Sequence, residues 1–439
     1  MEETGQAATQ VVQRLRGAGF AAYFVGGCVR DIVMEREPKD FDVATSALPT
    51  QVIEMFPGSL TVGAQFGVVI VPCEKGNVEV ATFRSDGVYA DGRHPVHVEY
   101  AKSAEEDVRR RDFTINGMLF DPIESKVLDY VGGQADIRRR RVRTIGDPQK
   151  RFSEDRLRML RAVRFAARFS FELDSGTAEA IRNLASEIRM VSAERIRDEI
   201  LKILTEGHAR RGFELLDSTY LLKQVLPEIK AMQGVEQPPE FHPEGDVWKH
   251  TLMMLDGLKM PTPTLALGVL LHDVGKPRTF TVRERIRFDN HVEVGAKMAE
   301  DICRRLRLST HETERVVELV RHHLRFKDLP QMKRSTKIRF LRMDGFPEHL
   351  ELHRLDCTAS HGKLDNYNLA LEILGQIPEK EIRPPRLITG EDLIRDGYTP
   401  GPLFKQILQA VEDAQLEGQI RTPKDALHLV HERFPLPHL

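Results

Sequence analysis

The sequence predicts an α+β head followed by an all-helical remainder. Three observations carry this. Short apolar runs of strand length, separated by Gly- and Asn-bearing turns, fill roughly the first 135 residues. After about Arg138, apolar residues recur at helical spacing almost to the end. Pro-rich joints at Gln237-Pro238-Pro239 and Pro384-Pro385 then divide the helical stretch. A chain of 439 residues is long enough for about three cores. The expected divisions are 1–137, 138–236, 237–383 and 384–439.

Taken in order, Val11–Arg16 reads as a helix, Gly19 as its break, and Ala21–Val25 as a strand. Gly26-Gly27 leads into a short helix that Pro38 stops, and Asp40–Ala44 follows as a strand. Further strands are expected at Val68–Val71, Val78–Phe83 and Val96–Tyr100, with turns at Glu74–Asn77 and Asp86–Arg93. Helices are expected over 153–170, 175–188, 191–205, 209–218, 246–259, 263–273, 291–307, 309–323 and 404–417. No low-complexity segment or solenoid repeat interrupts this order.

The composition excludes several classes. Lys+Arg is 64 against Asp+Glu 66, so no global charge names a partner. No apolar run approaches the roughly 18 residues of a membrane span, and the start, MEETGQAATQ, is acidic and polar, unlike a secretory signal. Cys28, Cys73, Cys303 and Cys357 lie far apart, which argues against a disulfide framework or thiolate zinc site and for the cytoplasm. Local asymmetries are more telling. Ten of the sixteen histidines fall between His242 and His361. From Arg138 to Arg168, eleven Arg and one Lys face only three carboxylates. Two separate sites are expected.

In the head, Asp40 and Asp42 are two apart on an expected strand, so they project together while Phe41 and Val43 face the core. Side-by-side like charges become favourable around Mg²⁺, which takes one or two carboxylates plus substrate phosphates. Gly26-Gly27 at a strand end allows backbone to approach a triphosphate. A DxD pair alone also suits a solvated edge strand; GGCVRD ten residues upstream reverses that balance. Arg109–Asn116 packs three arginines, Asp112 and Asn116 into one turn, a set suited to phosphate and ribose. Asp155 and Arg158, three apart on an expected helix, combine an acceptor with a donor as a nucleobase edge requires. Arg158, Arg161, Arg164 and Arg168 share one half of that helix.

The strings GGCVRD…DFDVAT, RRDFTIN, EDRLRMLRAVRFAARF and ERIRDEILKIL resemble the class II tRNA nucleotidyltransferases, that is, the CCA-adding enzymes and related bacterial poly(A) polymerases. The resemblance runs from about Ala21 to Leu204. It implies a polymerase-β-like nucleotidyltransferase head, a mixed sheet with helices, followed by an all-α neck and body. By the same resemblance Asp40 and Asp42 bind the catalytic Mg²⁺. Gly26, Gly27 and Arg30 meet the triphosphate, and Arg111, Asp112 and Asn116 meet the nucleotide's phosphates and sugar. Asp155 and Arg158 are the protein template for CTP and ATP, with Arg161 and Arg164 beside them. Glu79 is the candidate third carboxylate. The implied partners are ATP, CTP and the tRNA 3′ end; monomer and homodimer both stay open. Segment Phe83–His97 resembles the loop of enzymes that add the terminal A, and segment 61–71 lacks a basic stretch associated with poly(A) polymerases. His94 and Gly117 depart from the residues usual at their positions. Full CCA addition is the primary reading; A-only addition and poly(A) polymerase activity are the alternatives.

In the body, His250, His272-Asp273, His291, His322-His323 and Asp356 offer imidazole and carboxylate ligands, which suit Mg, Mn, Ni, Zn or Fe. LLHDVGKP, with WKH before it and RLDCTASHG after it, resembles the HD phosphohydrolase domain over about Phe241–Lys363. That implies a helical HD domain in which His250, His272, Asp273 and Asp356 hold a second divalent metal of open identity. His291 and His322 or His323 would be additional ligands. The implied second activity is that of a phosphatase or phosphodiesterase. The contrasting reading is an RNA-binding protein with a purely structural HD bundle.

Overall fold

The computed structural model describes residues 3–61, 67–74, 76–85, 100–101, 103–240, 242–378 and 382–436. Most of the Phe83–His97 loop, part of segment 61–71 and most of the expected Val96–Tyr100 strand lie outside these residues. The chain divides into two compact units. The first comprises residues 1–231, 258–266 and 302–309; the second comprises 232–257, 267–301 and 310–439.

The first unit opens with α1 (Glu3–Gly17), whose Ala8, Val11, Val12 and Leu15 stripe is buried. Then come β1 (Ala22–Val25), α2 (Gly27–Val33), β2 (Asp42–Thr45), α3 (Pro49–Met55), β3 (Val68–Cys73), β4 (Gly76–Thr82), α4 (Ala104–Arg109), β5 (Met118–Asp121) and β6 (Lys126–Asp129). The strands form one mixed sheet in the order β3-β4-β2-β1-β5-β6, in which β2 and β4 run parallel and every other neighbour pair is antiparallel. Phe24, Val43, Val69, Val80 and Leu119 are fully buried by the pleat's alternation. The β2–β4 register sets Asp42 directly opposite Glu79.

Helices α5 (Gly133–Arg138), α6 (Pro148–Glu154), α7 (Arg158–Phe169), α8 (Ser175–Leu184), α9 (Ala193–Thr205) and α10 (Ala209–Ser218) follow. Two expectations are corrected here. The strand starts at Asp42, so Asp40 lies on the approach to it, although burial still alternates: Asp40 exposed, Phe41 buried, Asp42 half-buried, Val43 buried. The expected single helix over 153–170 is two. Asp155 is the extended residue between them, at φ −146° and ψ 105°, because its Oδ1 accepts the Leu157 N–H at 3.1 Å, a cap that competes with helix continuation.

The second unit is helical, built on Val247–Asp256, Thr310–His322, Phe346–Ala359, Asp365–Gln376 and the first eleven residues of the helix His291–Arg305. It also contains a short antiparallel hairpin, Phe280–Val282 with Ile286–Phe288, which the helical reading of this region does not include. Three-residue strands around a charged turn carry too little alternation to stand out. A C-terminal cluster buries Leu393, Tyr398, Ile407, Val411 and Val430.

Candidate functional site

In the first unit a groove is lined by Gly26, Arg30, Asp42, Arg111, Asp155 and Arg158, with Gly27, Asp112, Asn116, Arg161 and Arg164 also on its wall. With Arg195, five segments of chain converge on one opening. Gly26 ends β1 at φ +79°, a conformation that favours glycine. A Cβ there would stand 3.8 Å from both Arg111 Nη1 and Asp42 Oδ2, in the notch between them. Burial pushes the Asp42 carboxyl up to about 6, with Glu79 and Asp40 adding to the rise and Arg111 opposing it. A carboxylate made costly to ionise by burial and by two carboxylate neighbours suits a divalent cation. Asp40 itself is exposed and not part of the groove lining.

The arginines are fixed by partners. Arg111 gives Nε and Nη2 to Asp107 Oδ2 at 3.1 and 2.8 Å, while Arg110 takes Asp107 Oδ1 at 2.7 Å. Arg30 is buried: Nη1 donates to Asn116 Oδ1 at 2.8 Å, its other nitrogens hold Asp31, and its plane lies 4.6 Å from the Phe169 ring. Asp112 is locked to Arg161 at 2.6 Å; burial would raise its carboxyl, and Arg161 holds it below the ordinary value. Arg164 is buried against Glu199 at 2.9 Å. Arg158 Nη1 donates to Glu154 Oε2 at 2.8 Å and to the Arg151 carbonyl at 3.0 Å. Asp155 Oδ2 accepts from Arg195 Nη2 at 2.8 Å. Arg195, which also lines the groove, is a residue the sequence reading passed over, although it stands inside the quoted ERIRDEILKIL string.

In the second unit, His272 and Asp273 follow the apolar segment Pro263–Leu271 and precede Gly275. Gly275 packs so closely on the start of the helix at His291 that a Cβ would be 2.1 Å from the His291 carbonyl oxygen. That approach brings the imidazoles together. His272 Nε2 is 3.1 Å from Asp273 Oδ2, and His323 and His291 Nε2 stand 3.7 and 3.8 Å from Asp273 Oδ1. His250 Nε2 is 3.1 Å from Asp356 Oδ1, and its Nδ1 is 2.7 Å from Glu244 Oε1. Burial would lower His250, but Asp356 and Glu244 raise it to about 9. Burial pushes His323 down to about 4.

The expected His250, His272, Asp273 and Asp356 are therefore brought together, with His291 and His323; His322 instead packs against His349. Both His250 nitrogens, the Nε2 atoms of His272, His291 and His323, and Asp273 Oδ1 are buried without hydrogen-bond geometry to any partner. Such orphaned, converging N and O atoms fit a divalent metal. Glu244 was not singled out from sequence; its signal is the HPEGD run beside His242.

The Poly A polymerase head domain family matches residues 22–143, the probable RNA and SrmB-binding site of polymerase A matches 170–233, and the HD domain matches 246–354. A CCA-adding enzyme of Geobacillus sp. is 32% identical over 438 residues, covering 99% of this chain and 98% of that protein. One from Leuconostoc mesenteroides is 31% identical over 422 residues, covering 96% and 94%. The crystal structure of the Bacillus stearothermophilus CCA-adding enzyme in complex with CTP superposes with a TM-score of 0.73 at 28% identity, covering 98% of each chain. With both units and nearly its whole length matched, the chain belongs to the family of CCA-adding enzymes, tRNA nucleotidyltransferases with a nucleotidyltransferase head and an HD domain.

Proposed function

We propose that the first unit adds C, C and A to the tRNA 3′ end from CTP and ATP with release of pyrophosphate, and that the second hydrolyses phosphate esters. The groove supports the first part, because the Gly26-Gly27 turn, Asp42, Arg111 and the Asp155–Arg158 pair share one opening. The Gly26 notch and Arg111 receive the triphosphate, and Arg30 and Asn116 brace each other beside it. Mg²⁺ held by Asp40 and Asp42, with Glu79 opposite, would lower the pKa of the attacking 3′-hydroxyl and offset charge on the leaving pyrophosphate. Asp155 accepts from the exocyclic amine of cytosine or adenine, whereas uracil and guanine offer a carbonyl there and leave two acceptors facing. Arg158 donates to the ring. Replacing Asp42 with Ala is expected to abolish nucleotide incorporation while tRNA binding persists; turnover near wild type would refute the assignment.

The orphaned ligand atoms around Asp273 support the second part. His250, His272, Asp273 and Asp356 hold the divalent metal, which when bound supplies Lewis-acid activation of water and phosphate. Lys276 ties Asp273 Oδ2 at 2.6 Å to Gln237 at 2.6 Å and keeps the carboxylate oriented. Asp273→Ala is expected to remove phosphoester hydrolysis and spare nucleotide addition. Joint loss of both would overturn the two-site reading.

A further inference from the structure

The metal-ligand cluster of the second unit is reached from two clefts. One, of about 500 Å³, exposes His323, His242 and Asp356, and its rim carries Lys327, His361 and Lys363 against Asp365. The other, of about 620 Å³, exposes His291; its rim carries Arg285, Arg287 and Lys327 against Glu240 and Asp289, over a wall of Pro238, Pro239 and Phe288. His323 and His291 face the same oxygen, Asp273 Oδ1, so one ligand set lies behind both mouths. Lys327 stands on both rims. Arg287 lines the second cleft, and its Nε is buried without a hydrogen-bond partner.

A phosphomonoester carries one organic group and fills one mouth. A phosphodiester carries two. Resting on the phosphohydrolase reading above, we propose that this centre takes a phosphodiester flanked by a nucleoside on each side, its phosphate at Asp273 and its two arms in the two clefts. Arg287 and Lys363 are the cations that hold the arms, and the proline and Phe288 wall receives a base or sugar face. In the reaction a water oxygen bonds to phosphorus and one P–O ester bond breaks. The departing alkoxide takes one water proton, and the product is a monoester plus an alcohol.

The test uses the full chain with Mn²⁺ and two substrates, a dinucleoside monophosphate and adenosine 3′-monophosphate. Fluorescence anisotropy of a labelled dinucleotide without added metal supplies a second readout. The diester should exceed the monoester in kcat/KM by tenfold or more. Arg287→Ala and Lys363→Ala should each weaken dinucleotide binding about tenfold, the loss of one charge-assisted contact. Arg287→Lys should restore part of it, which separates lost charge from lost fold. A monoester turned over as well as the diester, or binding sensitive to only one of the two cations, overturns the two-armed substrate but leaves the phosphohydrolase standing. Hydrolysis of neither ester overturns both.

Discussion

Asp107 shows how a residue that touches no substrate governs the groove. It is almost wholly buried; burial would raise its carboxyl, and Arg111 and Arg110 instead hold it down at about 2. A carboxylate held below its ordinary 3.8 adds stability above that pH, and the contribution fades as pH falls towards 2. Asp107→Asn should therefore destabilise the protein by about 3–5 kcal/mol at neutral pH, as a broken buried ion cluster does. Thermal melts should show a smaller loss between pH 5 and 3 in the variant than in wild type. Equal acid sensitivity would contradict this. At the same scale, Arg195→Ala removes the partner that orients Asp155, and misincorporation of UTP relative to CTP should rise about tenfold, the worth of one charged hydrogen bond. Unchanged discrimination would show that Asp155 does not need Arg195. Asp42, Arg111 and Arg158 could be named from the sequence because they stand in the DFD, RRDFTIN and EDRLR strings, and the structure lines one groove with them. Arg195 was not: it pairs across 40 residues, and no local spacing reports that.

Among the elements, α6 and α7 carry the instructive misreading. The amphipathic pattern from 158 onward is real, with Met159, Leu160, Ala162, Val163 and Ala166 buried beneath the arginines. Periodicity alone does not show that Asp155 turns its carboxylate onto the chain ahead and breaks the helix. The break is useful, because an extended Asp155 can present its carboxylate into the groove while Arg158 rises from the first turn of α7. In the second unit the decisive element contact is Gly275 on the helix start at His291. Gly275→Ala should cost about 1–3 kcal/mol by overpacking and separate His291 from Asp273. Thermal unfolding would give the first, and isothermal titration with Mn²⁺ should show weaker binding. Wild-type affinity would mean His291 is not a ligand. The 280–288 hairpin and Glu244 escaped the sequence reading, one for brevity, the other because a single acidic residue carries no pattern.

For the whole molecule, the order of a mixed-sheet head and then helices was legible from the change of hydrophobic period near Arg138, and the motifs carried the family. Most of the Phe83–His97 loop, on which the choice between CCA and A-only addition was expected to turn, lies outside the described residues. No helix among the described residues is long and apolar enough to cross a membrane. The central claim is that one groove reads both C and A and completes the 3′ end. It is tested most directly with three tRNA transcripts, ending before the first C of the CCA end, after the first C and after the second, each supplied with labelled CTP and ATP. The account predicts that all three are completed to CCA. Extension of only the transcript already ending in CC, by a single A, would contradict it.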